Sequence, residues 1–437
     1  MTSPRLRRGD LLPRMVAPPQ GPHLAELSRC LDTYEAPGIN TLQNGRAAVG
    51  WAEARGANVL DVEGNRYLDF TAGFGVAAVG HRHPKVMAAL RRQSGRLVHG
   101  LGDAHPHPLR AQLAERLCRL APVPDPLVYF AISGADAVEI ALKTALLNGR
   151  GPGVLAFDPG YHGLTLGALA VTSRAQFRQP FASHLHHRLH RLPFGGDPAA
   201  VERLFAKHPE IGCAVVEPLV GREGVLIPPN RWLRDLAKIC HRHGVLLVAD
   251  EIFTGFGRTG HLFAVQGEGV EPDLLCCGKA LGGGLPIAAV LGRRRLMEAW
   301  ASGGEALHTG TFVAHPLACA TSLAVLDVLE EESLADRARR LGERVETELQ
   351  DWPRRFPPVV ATRGRGLLWG VELDRSETAY RWVAEARRRG VLVLAGGPSG
   401  AVTQLVPPLT ITERQLDTGL ALLRQALTAV AEGGSSP

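Results

Sequence analysis

A carboxylate and an amine each follow closely on a short apolar run of the sequence. Asp250 comes directly after the run 245–249, and Lys279 follows the run 274–277 after one glycine. A carboxylate at the end of a buried strand must be compensated by a hydrogen-bonding or cationic partner, or by contact with a bound ligand. Burial of the lysine would lower its pKa and free its amine to attack an aldehyde. The plain alternatives are a capping or salt-bridged acid at Asp250 and a solvated loop residue at Lys279.

The glycines near these two residues point to different kinds of site. A triple glycine at 282–284 follows Lys279 and would let the backbone approach a flat ligand closely. The segment 255–260 formally matches G-x-G-x-x-G, the pattern of a dinucleotide site. Such a site requires a helix after the glycines, and no helical pattern follows here. The segment therefore does not support the interpretation of the chain as a nicotinamide-dependent dehydrogenase.

Two further turns follow predicted strands. Ser133, Gly134 and Ala135 join a strand to the start of a helix, where free N–H groups suit a phosphate, although an ordinary capped helix would look the same. Tyr161 and His162 follow the next strand and offer an aromatic face beside a hydrogen-bonding ring. With the carboxylate and the amine, these parts meet the needs of pyridoxal 5′-phosphate (PLP): a phosphate site, a stacking ring, a partner for the pyridine nitrogen and an amine for the aldehyde.

The middle of the chain alternates short apolar runs with amphipathic stretches. This alternation predicts an α/β domain, with a mainly parallel sheet and helices on both of its faces. The runs predicted as strands are 128–133, 154–157, 214–216, 245–249 and 274–276. Sheets of this kind bind ligands beyond the carboxyl ends of their strands, which is where the residues above are expected.

The two ends of the chain have a different pattern. Residues 57–69 alternate around a turn at 63–65 and predict a hairpin. After residue 316 we expect a long helix, a β segment at 366–373, another helix, and a last helix over about 412–431. The predicted organisation is a disordered arm over 1–20, a small domain formed by 21–74 and 321–437, and a large domain over 75–320.

The overall composition gives no sign of a polymer partner. The 437 residues exceed one typical domain, and 45% apolar with 21% charged residues is ordinary for a globular protein. The formal charge of +6 comes from scattered basic residues without interleaved aromatics, so we expect no nucleic acid. No apolar run approaches about 18 residues, so we expect no membrane span.

The cysteines and clustered histidines suggest neither a disulfide framework nor a metal site. Seven cysteines form no C-x-x-C pair, which indicates reduced thiols and a cytoplasmic protein. The first twenty residues also lack the apolar region of a secretion signal. His184, His186, His187 and His190 fit no standard zinc spacing, so we expect a solvated loop and no bound metal.

Taken in order and spacing, these motifs resemble those of the class III (ω-type, 4-aminobutyrate/ornithine-like) aminotransferases of PLP fold type I, over about residues 45–430. The matching segments are 61–69, 80–84, 133–134, 161–163, 217–218, 250–260, 278–279 and 407–411. The resemblance implies a large domain with a mainly parallel seven-stranded sheet flanked by helices, and a small α+β domain built from both chain ends. It also implies transfer of an amino group between small amine or amino-acid donors and oxo acceptors.

The resemblance assigns roles to single positions. Lys279 would hold the cofactor as a Schiff base and move the proton of the substrate Cα, and Asp250 would keep the pyridine nitrogen protonated. The other implied cofactor contacts are Ser133, Gly134 and Ala135 at the phosphate, Tyr161 and Ile252 on the two ring faces, His162, Glu217, and Thr311 from the neighbouring subunit. The enzyme would then be a homodimer with shared active sites.

Some positions depart from the family pattern. Ala135 replaces a common Ser or Thr, and Phe253 replaces a glutamine that touches the cofactor oxygen. Gln404 stands where an arginine usually grips the substrate α-carboxylate, and Arg222 stands where a glutamate pairs with that arginine. Drift at two loop positions would explain this. Alternatively, Arg222 takes over anion binding, or the amine lacks an α-carboxylate. Phe74 is a further candidate substrate contact.

Two other functions remain open at this point. A racemase or epimerase on the same fold would return the proton to the opposite face of Cα, and it needs a second acid/base opposite Lys279. A non-catalytic PLP-binding sensor is the other alternative, but the presence of both Lys279 and Asp250 argues against it.

Overall fold

The computed structural model describes residues 6–39, 49–301 and 304–432. The chain divides into two compact units. Unit 1 consists of Met1–His83 and Leu341–Pro437, and unit 2 is Pro84–Arg340. The sequence predicts boundaries after residues 74 and 320. In the structure they fall later in the chain, after residues 83 and 340.

The elements of the described residues are as follows. The strands are β1 (Trp51–Arg55), β2 (Asn58–Asp61), β3 (Arg66–Asp69), β4 (Pro126–Ala131), β5 (Gly153–Asp158), β6 (Leu189–Pro193), β7 (Ile211–Val216), β8 (Leu246–Asp250), β9 (Leu274–Cys277), β10 (Ala288–Arg293), β11 (Val359–Arg365), β12 (Leu368–Leu373), β13 (Val391–Leu392), β14 (Leu394–Gly396) and β15 (Val402–Leu405). The α-helices are α1 (Pro22–Tyr34), α2 (Ala72–Gly75), α3 (Pro84–Ser94), α4 (Pro108–Leu120), α5 (Gly134–Leu147), α6 (Leu166–Val171), α7 (Ala175–Arg178), α8 (Pro198–Lys207), α9 (Trp232–His243), α10 (Arg294–Met297), α11 (Pro316–Glu331), α12 (Leu334–Leu349), α13 (Trp352–Arg355), α14 (Ser376–Arg388) and α15 (Glu413–Glu432).

Unit 2 is built on a seven-stranded sheet, counted over its described residues. The strand order is β4-β10-β9-β8-β7-β5-β6. Strand β10 runs antiparallel to both of its neighbours, and the pairs among β9, β8, β7, β5 and β6 are parallel. The mainly parallel seven-stranded sheet is therefore confirmed. Strands β6 and β10 were not predicted individually. Strand β6 is a half-buried edge strand in which Leu189 and Leu192 flank His190 and Arg191.

The central strands bring the chemistry-bearing residues to one edge of this sheet. Strands β7, β8 and β9 are buried along their whole length because each lies between two other strands and helices cover the faces of the sheet. Helix α5 packs on the sheet through small and branched side chains, including Val138 and Ile140. Since β7 and β8 run in the same direction, Glu217 and Asp250 emerge at the same end of the sheet.

Unit 1 contains two four-stranded sheets among its described residues, in the orders β1-β2-β3-β13 and β11-β12-β15-β14. The predicted hairpin is present as β2 and β3. Its turn is held by Asp61, whose Oδ1 accepts hydrogen bonds from the backbone N–H groups of Glu63 (3.0 Å) and Asn65 (2.7 Å). Strand β13 adds to β3 in parallel, so the two chain ends share one sheet.

The structure differs from the prediction of a disordered arm over residues 1–20. Residues 6–20 are described and lie along the hairpin, whereas 1–5 lie outside the described residues. The buried side chain of Asn58 exchanges two hydrogen bonds of 2.9 Å with the backbone of Leu11. Asn65 Oδ1 accepts from the N–H groups of Val16 (2.7 Å) and Ala17 (3.0 Å). Composition cannot reveal this order because the partners are two amides about 50 residues away.

The region after residue 316 also differs in detail from its prediction. The expected long helix is two helices, α11 and α12, separated at Ser333 with a φ of 47°. Strand β11 precedes the predicted β segment, and α15 matches the predicted last helix within one residue at each end. Among the residues that the structure describes, no helix is both long and apolar enough to cross a membrane.

Candidate active site

A buried pair of a carboxylate and an imidazole lies at the carboxyl end of β8. Asp250 is 4% exposed, and its Oδ2 lies 2.7 Å from Nδ1 of His162. Its Oδ1 accepts a hydrogen bond from the backbone N–H of Ile252 (3.1 Å). Burial acts to lower the pKa of His162, but the hydrogen bond and the negative charge of Asp250 outweigh burial, and the pKa is raised. The imidazole thus orients the carboxylate and offers it positive charge.

A threonine that the sequence did not single out positions His162. The backbone N–H of His162 donates to Thr172 Oγ1 (2.9 Å), and the Thr172 hydroxyl donates to the carbonyl of Gly163 (2.9 Å). Thr172 is buried and follows α6, ten residues beyond His162. No sequence pattern links a threonine at a helix end to a distant turn, so tertiary structure alone reveals this contact.

Glu217, expected at the cofactor, ties two loops together in the structure. Its Oε1 accepts from the backbone N–H of Tyr161 and its Oε2 from that of Gly221, each at 2.9 Å. Burial raises the pKa of Glu217 to about 7, while the neighbouring His162 acts to lower it. Through these two bonds Glu217 ties the backbone at Tyr161 to the loop at Gly221.

Lys279 begins a short 3-10 helix directly after β9, in the left-handed backbone region with a φ of 42°. Burial lowers the pKa of its amine to about 8, although the charges of Asp250 and Glu217 oppose that shift. Its Nζ lies 4.3 Å from the centroid of the Phe253 ring, within the range of a cation–π interaction. An amine in this environment is a nucleophile near neutral pH.

Ile252 lies between the turn that begins α5 and the turn that carries the lysine. A Cβ atom added at Gly134 would lie 3.0 Å from Ile252 Cγ2, and one added at Gly278 would lie 3.1 Å from Ile252 Cδ1. Neither turn has room for a larger residue without movement. The structure therefore brings together three segments that the sequence had identified separately.

The turn at the start of α5 has the geometry of an anion site. Ser133 is the N-cap residue, and its Oγ accepts from the backbone N–H of Asp136 (3.2 Å). The first N–H groups of a helix have no acceptor within the helix, so Gly134 and Ala135 are suited to hold a phosphate. Gly163 packs directly on this turn, since a Cβ there would lie 2.6 Å from the Cβ of Ala135.

Arg222 stacks on an aromatic residue of the site. Its guanidinium carbon lies 4.2 Å from the centroid of the Tyr161 ring and 5.5 Å from that of Phe177. Next to it, Glu223 forms an ion pair with Arg174 (2.7 Å), which fixes this loop. The positive charge of Arg222 also contributes to lowering the pKa of Lys279, so the two cations lie in one electrostatic environment.

The structure gives the following local surroundings for the other three predicted residues. Thr311 is exposed, in a loop that His308 ties to α5 through Asp136 Oδ1 (2.8 Å). Phe74 and Gln404 belong to unit 1. Phe74 is 58% exposed with a φ of 59°, and Gln404 is buried on β15, where it pairs with Gly370 of β12.

The arrangement fits the cofactor that the sequence predicts. A carboxylate has about four acceptor positions, so Asp250 can accept a pyridine N–H beside its bonds to His162 and Ile252. Gly134 and Ala135 would hold the phosphate, and Lys279 supplies an amine of lowered pKa for the aldehyde. Phe253 offers no hydrogen bond to the ring oxygen, and Ala135 offers no hydroxyl to the phosphate.

Comparisons with known proteins identify the family of the chain. The family model described as aminotransferase class-III matches residues 42–427. Acetylornithine aminotransferase of Methanopyrus kandleri is 40% identical over 88% of this chain and 95% of its own. The 5-aminovalerate aminotransferase of Pseudomonas putida is 35% identical over 86% and 93%. The structure of ornithine aminotransferase from Toxoplasma gondii, which has partial occupancy of PLP at its active site, superposes with a TM-score of 0.87 at 31% identity over 94% of this chain and 96% of its own.

The lowered pKa of Lys279 can be measured in protein freed of cofactor. We expect the amine to be half-reactive toward an acylating reagent near pH 8, because it is protonated below that pH and neutral above it. Mass spectrometry of peptides after brief labelling across a pH series measures the profile. Lys238, whose side chain is 64% exposed, serves as the reference for the reagent. Identical profiles for the two lysines would contradict the prediction.

Proposed function

The chain belongs to the class III aminotransferases, which are PLP-dependent, and from this premise we propose that it transfers the amino group of a carboxylate-bearing amine to an oxo acid with Lys279 as its acid and base. The relatives named above are all aminotransferases, so their identity supports transamination and not the racemase or epimerase alternative. It likewise excludes a non-catalytic sensor as the interpretation of this chain.

The observation that carries the proposed mechanism is a lysine of lowered pKa at the same sheet edge as a buried aspartate. Bound PLP supplies an aldehyde that receives the amino group and a pyridine ring that draws electrons from the substrate Cα. Lys279, with a pKa of about 8, would take the substrate Cα proton onto its Nζ as a base and release it again as an acid. Asp250, oriented by His162 at 2.7 Å, would accept the N–H of the ring and keep that nitrogen charged.

Other side chains position these groups. Tyr161, held by Glu217, and Ile252, seated between Gly134 and Gly278, would cover the two faces of the ring. The phosphate would lie on the amides of Gly134 and Ala135. Because each of these residues is fixed by contacts within unit 2, the cofactor would meet a preformed site.

The half-reaction with donor alone tests this mechanism. Purified holoenzyme mixed with an amine donor and no acceptor should release about one equivalent of oxo product per site and lose its visible cofactor absorbance. Lys279→Ala should reduce the rate by at least about 10²–10⁴-fold, the usual contribution of a general acid and base. Lys238→Ala is the surface control and should leave the rate unchanged. Retained absorbance together with solvent deuterium at Cα would indicate racemisation and overturn the proposal.

For the substrate, we propose that Arg222 receives a carboxylate of the amino donor. The relatives are named for N-acetylornithine, 5-aminovalerate and ornithine, all of which carry a carboxylate. The guanidinium carbon of Arg222 lies 4.2 Å from the centroid of the Tyr161 ring, and a guanidinium group can bind a carboxylate through two hydrogen bonds. Gln404, which replaces the usual arginine, is neutral and cannot supply that charge.

Replacing Arg222 should therefore change selectivity more than overall activity. We expect Arg222→Ala to lower kcat/KM for carboxylate-bearing donors by about 10–100-fold, the worth of a hydrogen bond to a charged group. Turnover of an alkylamine such as 1-aminobutane should change little. Arg188→Ala, at an exposed arginine, is the control. If Arg222→Ala left the selectivity unchanged, this proposal would be wrong. The replacement at position 222 would then be explained by an amine substrate that has no α-carboxylate, or by drift at this position.

We also propose that the enzyme is a homodimer and that Thr311 reaches the phosphate site of the partner subunit. Large apolar side chains are exposed around this loop, including Val98, Leu101, Leu307 and Phe312 at 46–58% exposure. The segment that carries Val98 and Leu101 contacts the Thr311 loop, since the rings of His99 and Phe312 lie 5.5 Å apart. Contiguous exposed apolar surface of this kind is typical of an interface.

Mixing two inactive variants tests the sharing of active sites. Thr311→Asp should weaken PLP binding at least tenfold by repelling the phosphate, whereas Thr309→Asp, on the same exposed loop, should not. After mixed refolding, a hybrid of Thr311→Asp with Lys279→Ala carries one intact site and should recover activity above either parent. Absence of recovery in a hybrid shown to be dimeric by light scattering would disprove the sharing.

We also propose that the enzyme is located in the cytoplasm. All seven cysteines are free, and Cys213, Cys240, Cys276, Cys277 and Cys319 are buried. Free thiols are typical of a reducing compartment. Fractionation of cells that produce the native chain is the check, and its recovery outside the cytoplasm would contradict this assignment.

A further inference from the structure

A second cluster of polar side chains lies at the other end of the parallel strands. His190 is on the edge strand β6, His208 ends α8, and Glu210 immediately precedes β7. The active-site Glu217 follows the carboxyl end of β7, about 20 Å away along the strand. The mechanism proposed above makes no use of this cluster.

The ligand atoms of these three residues already lie at separations that suit a metal ion. Glu210 Oε1 is 3.1 Å from His208 Nδ1 and 3.7 Å from His190 Nε2, and all three atoms lie within 4.8 Å of one another. Tetrahedral coordination with bonds of about 2.0–2.1 Å requires ligand separations of about 3.4 Å. The two distances to Glu210 bracket that value, and side-chain rotations that bring the two imidazole nitrogens closer than 4.8 Å would complete the geometry.

The backbone holds this cluster in place without a metal. The N–H of His208 donates to the carbonyl of Leu204 (2.9 Å), and the carbonyl of His208 accepts from Ile211 (3.1 Å). The carbonyl of Glu210 accepts from Gly153 (2.9 Å), and His190 is paired with β5 in the parallel ladder. A preformed set of ligands loses little conformational entropy when an ion binds.

The chemistry of the cluster selects a particular class of ion. Two imidazoles and one carboxylate are the donor set of many zinc sites, whereas Mg²⁺ and Ca²⁺ prefer oxygen ligands. The side chains of His190, His208 and Glu210 are 21%, 29% and 39% exposed. An ion can therefore enter from solvent, and water can occupy the fourth position.

We propose that His190, His208 and Glu210 form a binding site for Zn²⁺, completed by water and remote from the PLP site. The ion would tie the edge strand β6 to the turn between α8 and β7. This proposal departs from the sequence-based expectation of no metal. The expectation of no metal was based on the histidines at 184–190. His208 and Glu210 lie 18 and 20 residues beyond His190 in the sequence.

Binding of Zn²⁺ to the holoenzyme tests the site. Equilibrium dialysis with zinc analysis should find one ion per chain that is lost in His190→Gln and in His208→Gln. The dissociation constant should rise by at least about 10–100-fold in each variant, since loss of even an outer hydrogen-bond partner costs that much. Substitution with Co²⁺ should give the intense visible bands of a four-coordinate site in the wild type but in neither of these two variants.

His243→Gln is the matched control. His243 also pairs with a glutamate, Glu202 (2.6 Å), but it is not part of a three-ligand group within the described residues. It should bind zinc like the wild type, and zinc should raise the melting temperature of wild type and control but not of His190→Gln. Retained cofactor absorbance in each variant shows that it has folded. Wild-type zinc stoichiometry in His190→Gln and His208→Gln would overturn the proposal and leave a carboxylate hydrogen-bonded between two histidines.

Discussion

Burial of the Asp250 carboxylate beside His162 is the interaction on which the rest of the site depends. A carboxylate taken out of water is costly unless charge and hydrogen bonds compensate it, and here the imidazole at 2.7 Å and the Ile252 amide do so. His162 is in turn fixed by Thr172, and Tyr161 beside it by Glu217. Each outer contact thus keeps one acidic group oriented at the end of β8.

The same low-dielectric environment sets the reactivity of Lys279. Burial removes water from the amine and lowers its pKa to about 8, while the charges of Asp250 and Glu217 limit the shift. The ring of Phe253, 4.3 Å from the amine, favours the protonated form of Lys279 through a cation–π interaction, which is weaker than an ion pair with a carboxylate. This balance leaves both protonation states accessible near neutral pH, as an acid and base catalyst requires.

Two departures from the family pattern, Arg222 and Phe253, lie close together in the structure. Phe253 packs so closely on Gly221 that a Cβ atom there would lie 2.4 Å from the ring, and Arg222 follows directly, stacked on Tyr161. The replacements at 222 and 253 thus occupy one connected region next to the lysine. Under the proposed function, the positive charge of Arg222 is the place in unit 2 where the carboxylate of a substrate would bind.

The sequence by itself determined the fold type, the cofactor and the two residues expected to act on it. Those features depend on local patterns: apolar runs that must be buried, glycines beside Lys279, and an acid at the end of a strand. It could not determine the order of residues 6–20, the role of Thr172 and Glu217 in positioning, or the grouping of His190 with His208 and Glu210. These depend on side chains that are distant in sequence and meet only because parallel strands and their crossover helices bring them together, so tertiary structure alone decides them.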